Sequence, residues 1–243
     1  MTNDAETTGQ PSISIRRGSD RGRANLGWLD SRHTFSFGEY YDPAHMGFRS
    51  LRVINDDRVA PGAGFPNHRH HDMEIITYVL SGALEHKDSM GNGSVIRPGD
   101  VQRMTAGTGI THSEYNHSPA ELVHFLQIWV LPSRQGLPPG YEQKHFDADR
   151  RRDRLCLVAA PDGAEDSITV HQDVRIFTAR LSAGAAVTHR MGADRHAWVH
   201  VAHGHVRVGD VELREGDGLA GSNATDLNVT SVADSEVVLF DLH

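Results

Sequence analysis

The stretch that decides the fold is GAGFPNHRHHDMEIITYVLSGAL, residues 62–84. It leads from a glycine turn through a histidine-rich segment into the apolar run Ile75–Leu80. Similar short runs, rich in Val, Ile, Leu and Thr and bounded by Gly, Pro, Asn or Asp, recur at Leu51–Ile54, Leu122–Leu131, Leu155–Ala159, Val174–Leu181, Ala197–Ala202 and Val237–Leu242. Such runs are typical of β-strands, and no long segment keeps the 3.6-residue apolar period of a helix. The sequence therefore predicts an all-β protein.

The order of turns is repeated along the chain. Gly62 precedes the turn at Gly82, and Gly184 precedes the turn at Gly204 with the same spacing. A Gly-Asp turn follows each segment, at residues 99–100 and 216–217. The repeat predicts two similar β-barrels in one chain. The predicted ranges are a flexible tail at 1–12, a first barrel at 13–135 and a second at 150–243, with the connection within about 132–154.

Composition excludes several classes of protein. The chain has 243 residues, a net charge of −8 and a single cysteine, Cys156, so we expect neither an internal disulfide nor a multi-cysteine zinc site. A net acidic chain is a poor match for direct nucleic-acid contact, which needs clustered Lys and Arg. No apolar stretch approaches the ~20 residues that span a bilayer, and the first residues do not form a secretory signal. We therefore expect a cytoplasmic protein without membrane contact.

The 17 histidines pose the question of a metal site. Alternate residues of a strand face the same side, so His68 and His70 are expected to project together. His112 and Glu114 form a second pair of the same kind. If the two pairs lie on neighbouring strands, three imidazoles and one carboxylate converge, a ligand set that suits Fe, Mn, Ni, Cu or Zn.

For several other residues the sequence gives weaker evidence of a role at the metal site. Glu74 has the parity of a ligand, so it is either the carboxylate ligand itself or a hydrogen-bond partner of a ligating imidazole. His71 has the opposite parity and should face away. We interpret the remaining histidines as structural, because His86 and His117 lie near turns and His124 lies in an apolar strand.

The second copy lacks the pattern. Sliding the first half onto the second places Arg190, Gly192 and His196 where His68, His70 and Glu74 stand. It places Val229 and Ser231 where the second pair, His112 and Glu114, stands. We therefore predict one metal, held by the first barrel.

These motifs resemble a known family. Gly62-x5-His68-x-His70-x3-Glu74 and Gly107-x-Gly109-x2-His112-x3-Asn116 resemble the two motifs of the cupin superfamily, with Gly107 replacing the usual proline and Gly82 one residue late. Longer blocks resemble the pirin family, and within it the bacterial members linked to quercetin 2,3-dioxygenase activity. These blocks are Gly27–Leu29, His33–Phe37, Leu51–Asp57, Asp72–Leu80, Glu85–Asn92 and Met104–Glu114. The resemblance is strong over about residues 15–145 and weak beyond.

The resemblance implies two jelly-roll cupin barrels with one divalent transition metal on His68, His70, His112 and Glu114. Iron is the expected metal, with Mn, Ni, Cu, Zn and Co as alternatives. The implied reaction opens the heterocycle of a flavonol such as quercetin with O2 and releases carbon monoxide, with Glu114 as the base that takes the 3-hydroxyl proton. The expected partners are a small phenolic substrate and O2. His71 stands where relatives carry Lys or Arg at the pocket edge, so the identity of the substrate stays open.

Two alternatives stay open. One is a metal-containing regulatory protein of pirin type that acts through protein partners. The other is a cupin enzyme, such as an isomerase, for a different small molecule, which oxygen uptake distinguishes from the dioxygenase. We expect a monomer, because two barrels in one chain supply the packing that single cupins gain by dimerising.

Overall fold

The computed structural model describes residues 12–222 and 226–243, so the predicted tail lies outside the described residues except for Ser12. Within these ranges the chain forms strands and turns, one short helix α1 (Ala148–Arg151), and 3₁₀ turns at Gly18–Asp20 and Ala164–Asp166. No helix in the described ranges has the length and apolar character needed to cross a membrane.

Twelve strands precede the helix and ten follow it in the described chain. The first twelve are β1 (Ser12–Arg16), β2 (Gly22–Asn25), β3 (Leu29–His33), β4 (Leu51–Val59), β5 (Gly64–His70), β6 (Glu74–Ser81), β7 (Leu84–Asp88), β8 (Gly93–Ile96), β9 (Asp100–Thr105), β10 (Ile110–Asn116), β11 (Val123–Val130) and β12 (Gly140–His145). The others are β13 (Cys156–Ala160), β14 (Ile168–Thr169), β15 (Val174–Leu181), β16 (Ala186–Arg190), β17 (His196–His203), β18 (His205–Val208), β19 (Val211–Arg214), β20 (Gly218–Ser222), β21 (Asp226–Ser231) and β22 (Ser235–Leu242).

The strands build two barrels, each from a seven-stranded and a four-stranded sheet. The first barrel has the orders β12-β9-β6-β11-β4-β3-β2 and β5-β10-β7-β8. The second has the orders β1-β20-β17-β22-β15-β13-β14 and β16-β21-β18-β19. The two sets correspond strand for strand, which confirms the predicted all-β fold of two similar barrels.

The two large sheets pack face to face. On β11 the side chains of Leu126, Ile128 and Val130 point to the second barrel, because alternate residues of a strand face opposite sides. Their apolar cluster also contains Val158, Ile176, Val238 and Phe240 from the other half. Each side chain of this size contributes ~1.5–3 kcal/mol on full burial. The shared face between the barrels is therefore a true core.

The interior of the first barrel is apolar at its ends and polar in the middle. One end cluster consists of Leu29, Val59, Val79, Leu84, Ile96, Val123 and Phe125, and the other of Ile75, Met104, Ala106 and Ile110. Between them β6 presents Thr77 and β11 presents Gln127, both buried. The second barrel is filled instead by one continuous aliphatic cluster. Among the described residues, the polar chamber that can hold a site lies in the first barrel.

Strand pairing crosses the predicted ranges at two places. β1 lies in the predicted first-barrel range but pairs with β20 of the second barrel, with Ser12 opposite Ser222. β12 lies in the predicted connection but pairs with β9 of the first barrel. Both strands cover a sheet edge, which would otherwise present unpaired backbone groups. Such long-range pairing leaves no signal in local sequence, so the predicted ranges missed it.

Candidate metal centre

Three predicted histidines meet on the small sheet of the first barrel. β5 and β10 run antiparallel with His68 directly opposite His112, and His70 projects on the same side as His68. One nitrogen of each ring lies within 4.8 Å of the others. The Nε2 atoms of His68 and His112 are 3.0 Å apart. At this separation the two nitrogens either share a proton or face a common cation.

The Nδ1 atoms of His68 and His112 have partners that fix the orientation of these two rings. Nδ1 of His68 donates to the carbonyl of Pro66 over 2.8 Å, which leaves Nε2 as the free acceptor. Nδ1 of His112 lies 3.4 Å from Nδ1 of His86, whose Nε2 lies 3.3 Å from the carboxylate of Asp88. A ligand whose second nitrogen is held in this way keeps one tautomer and one ring orientation.

The protonation state of the cluster also favours metal binding. Burial, together with the neighbouring imidazoles, lowers the pKa of His112 to about 3 and that of His70 to about 4. Both rings are therefore neutral at pH 7, and neutral imidazole is the form that binds a metal. The donor set fits a divalent transition metal.

Glu114 lies beside the histidines on β10 and is almost fully buried. Nε2 of Gln127 donates to both of its carboxylate oxygens, over 3.1 and 2.9 Å, and the hydroxyl of Thr77 lies 3.4 Å from Oε1. Its carboxylate forms a close group with His86 and His112 and not with all three predicted histidines. Its place as fourth ligand stays a prediction.

Glu74 is not part of the cluster, although the alternation of side chains along a strand had made it a candidate ligand. It begins β6 in the large sheet, while His70 ends β5 in the small one. The chain turns between them at Asp72, whose φ is 47°, so the alternation does not carry across. Oε2 of Glu74 instead accepts bonds from the backbone N–H of His171, over 3.0 Å, and from its ring over 3.1 Å. Glu74 thus joins the two barrels.

His86 is the site residue that sequence reasoning missed. We interpreted it as structural, but it is fully buried against His112, and the ring of Tyr141 packs on it at 5.1 Å. β7 pairs with β10 so that Asp88 lies opposite His112 and His86 opposite Glu114. The spacing of His86 and Asp88 already places both side chains on one side of β7. It indicates a role at the site only when β10 is known to be the partner strand.

Other histidines are engaged elsewhere. His71 is exposed and lies 3.4 Å from the carboxylate of Asp72. Nε2 of His124 lies 2.7 Å from the carboxylate of the buried Asp56. Neither lines the cavity described next.

The histidines and Glu114 open onto a cavity of about 750 Å³. Its walls include the aromatic rings of Phe37, Phe65 and Trp129. Trp129 packs edge-on against His70 at 4.9 Å and against Phe37 at 5.3 Å. A cavity of this size, apolar with a few convergent polar groups, suits a small-molecule ligand.

The equivalent place in the second barrel is aliphatic. Val229 on β21 lies opposite Val187 on β16, as His112 lies opposite His68, and both valines belong to the interior cluster. Sliding the sequence had placed Arg190 at this position, three residues too far along. Both candidate metal groups found among the described residues lie in the first barrel.

Comparison with known proteins defines the class as a two-cupin protein. Residues 15–130 match the family model Pirin, and residues 157–242 match the Quercetinase C-terminal cupin domain. The chain belongs to the pirin family, as its sequence motifs indicated.

Relatives cover nearly the whole chain. A protein of Escherichia coli (strain K12) named quercetin 2,3-dioxygenase, an oxidoreductase, is 47% identical over 230 residues, which are 95% of this chain and 98% of the relative. The crystal structure of YhhW from Escherichia coli superposes with a TM-score of 0.92 at 47% identity, covering 96% of this chain and 98% of that one. A structure of the bacterial pirin YhhW in complex with nickel(II) gives 0.90 at 46% identity, covering 95% and 99%.

Proposed function

We propose that the protein is a metal-dependent dioxygenase that cleaves the heterocycle of a flavonol such as quercetin with O2 and releases carbon monoxide. The observation that carries this proposal is the meeting of three imidazoles at the wall of a cavity lined by aromatic rings. The relatives named quercetin 2,3-dioxygenase support the choice of substrate class.

His68, His70, His112 and Glu114 would hold the metal in this proposal. When bound, a divalent metal supplies Lewis acidity and a template for the 3-hydroxy-4-keto edge of a flavonol. Iron is our proposed metal, with Mn, Ni, Cu, Zn and Co as alternatives. The nickel(II) complex of the related pirin supports a divalent ion of this group.

Glu114 is the proposed base for the 3-hydroxyl proton. Its carboxylate lies next to the histidines, and the Gln127 amide and the Thr77 hydroxyl fix its orientation. A positioned carboxylate that accepts the proton leaves the substrate as an electron-rich flavonolate, the form that reacts with O2. The rings of Phe37, Phe65 and Trp129 would give the aromatic substrate an apolar surface to pack against.

The decisive experiment compares metal-loaded and chelated protein in an aerobic quercetin assay, with an anaerobic control. We expect O2 uptake and carbon monoxide release only from the metal-loaded form. His68→Ala should lose the metal, and Glu114→Gln should lose turnover. His117→Ala is the matched control, because that imidazole is half exposed and does not line the cavity.

The contrary results are equally clear. Full quercetin cleavage by protein verified to be free of metal would refute the proposal. No O2 uptake with any phenolic compound, together with a stable protein partner in co-purification, would favour the regulatory alternative. Conversion of another small molecule without O2 uptake would favour a cupin enzyme of a different class.

A further inference from the structure

The cavity has a polar wall that the proposed metal ligands do not use. Its members lie on β3 and β4, line the cavity and are each at most 5% exposed: Ser31, His33, Asn55 and Asp57. The strands pair so that Ser31 lies opposite Asp57 and His33 opposite Asn55. These four polar side chains share one interior face. Because burying a polar side chain without a hydrogen-bond partner costs free energy, this face is suited to bind a polar ligand.

His33 is held in one orientation on this wall. Its Nδ1 lies 2.8 Å from Oδ1 of Asn55, a carbonyl oxygen that can only accept, so Nδ1 carries the proton and Nε2 is left as an acceptor. The rings of Phe37 and Tyr40 flank the imidazole, with centroids at 5.3 and 6.4 Å. Burial lowers the pKa of His33, which keeps the ring neutral.

Asp57 offers a second acceptor without a partner. Its side chain is 4% exposed, and no donor within the described residues reaches its Oδ1. Leaving a buried carboxyl oxygen without a hydrogen-bond donor is unfavourable. A ligand group that donates a hydrogen bond to this oxygen offsets that cost.

The far strand of this wall, β3, lies away from the proposed proton acceptor. Gln127, which holds Glu114, lies opposite Asn55 on the neighbouring strand, and His33 lies one strand further. Two strand spacings amount to about 10 Å. A ligand that reaches from Glu114 to His33 therefore needs more than a single small ring.

We propose that Asp57 and His33 form a subsite for the phenolic hydroxyl groups of the substrate other than the one that gives its proton to Glu114, which makes the pocket selective for polyhydroxylated flavonols. Both residues accept hydrogen bonds, so they match hydroxyl donors and reject bare or methylated ring edges. This inference rests on the proposed function, because a flavonol is the ligand whose hydroxyl groups the subsite receives.

The test uses two flavonols that share the chelating edge. Quercetin carries further hydroxyl groups, whereas 3-hydroxyflavone carries none. The wild type, Asp57→Leu, Asp57→Asn and the control Asp210→Leu, an exposed turn residue of the second barrel, are compared by anaerobic equilibrium titration and by aerobic kcat/KM. We expect the metal-loaded wild type to prefer quercetin in affinity by about tenfold, the upper scale of the net contribution of one hydrogen bond. Asp57→Leu should reduce that preference about tenfold, and Asp210→Leu should retain it.

Asp57→Asn is close to isosteric and gives the readout if the leucine variant does not fold; it should show a smaller loss of preference. Equal affinity of the wild type for both flavonols, or an unchanged preference in the folded Asp57 variants, overturns the subsite. Turnover of 3-hydroxyflavone then still supports the proposed function. If the wild type consumes no O2 with either flavonol, the proposed function fails, and the anaerobic affinity ratio alone decides the subsite.

Discussion

His86 is buried directly behind His112 and connects it to Asp88. Sequence parity within one strand predicted His68, His70 and His112, because alternation is a local rule. It did not predict His86, whose role depends on which strand β7 pairs with. Residues that support a ligand from a neighbouring strand are therefore the ones that a single sequence conceals.

His86→Ala should weaken metal binding by about 10- to 100-fold, as losing the group that orients a ligand typically does. The ring of His112 loses the neighbour that fixes its second nitrogen. Competition with a chromophoric chelator measures the affinity. His117→Ala is the control, since that ring is half exposed and contacts Glu85 only. An unchanged affinity in His86→Ala would remove His86 from the site.

Asp57 should make the stability of the metal-free protein depend on pH. Burial, with the charges of Asp56 and Glu114, raises the pKa of Asp57 to about 7, against about 3.9 in an unfolded chain. Between these values the folded state keeps a proton that the unfolded state releases, so stability falls as pH rises. Asp57→Asn has no such proton. Its free energy of unfolding, relative to wild type, should rise by about 2–3 kcal/mol from pH 5 to pH 8.

Denaturant titration of the chelated proteins at the two pH values makes this measurement. Asp210→Asn serves as the control, because it changes an exposed aspartate. Parallel stability profiles for wild type and Asp57→Asn would show that Asp57 titrates normally.

At the scale of elements, β1 is the strand that ties the barrels together from outside. It extends the large sheet of the second barrel, while its last residue, Arg16, reaches into the first. The guanidinium donates to the carbonyl of Thr34 over 3.1 Å and to the hydroxyl of Tyr40 over 2.6 Å. Tyr40 lines the cavity, so β1 supports the cavity mouth.

Removing residues 1–16 should lower the free energy of unfolding by about 2–5 kcal/mol, from several backbone hydrogen bonds and the buried Arg16. It also uncovers β20, and an open sheet edge promotes pairing between chains. Denaturant titration and light scattering at increasing protein concentration measure the two effects. Arg16→Ala separates them, because it should lower stability without association. A truncated protein of normal stability would contradict this account.

The patterns within single strands predict only part of the site. The barrels, their strands and the three histidines follow from local patterns that hold inside a strand. Glu74 failed because the chain leaves one sheet for the other between His70 and Glu74, at the turn of Asp72. Arg190 was misplaced because sliding a sequence cannot detect loops of unequal length.

At the scale of the whole molecule, the shared core between the large sheets should make the two barrels unfold as one. Leu126 is completely buried in this core. Leu126→Ala should cost about 2–5 kcal/mol, and the loss should appear in both halves. Circular dichroism and tryptophan fluorescence should give coincident denaturation curves in wild type and variant. Two separate transitions would show that each barrel folds independently.

The pairing of β1 with β20 also sets an order on biosynthesis. Ser12 and Arg16 are made about 200 residues before their partners Ser222 and Gly218. At ~5–20 residues per second the strand waits roughly 10–40 s for its place in a sheet. During that interval β1 has no partner strand. The large sheet of the second barrel therefore gains its β1 edge only after β20 has been made.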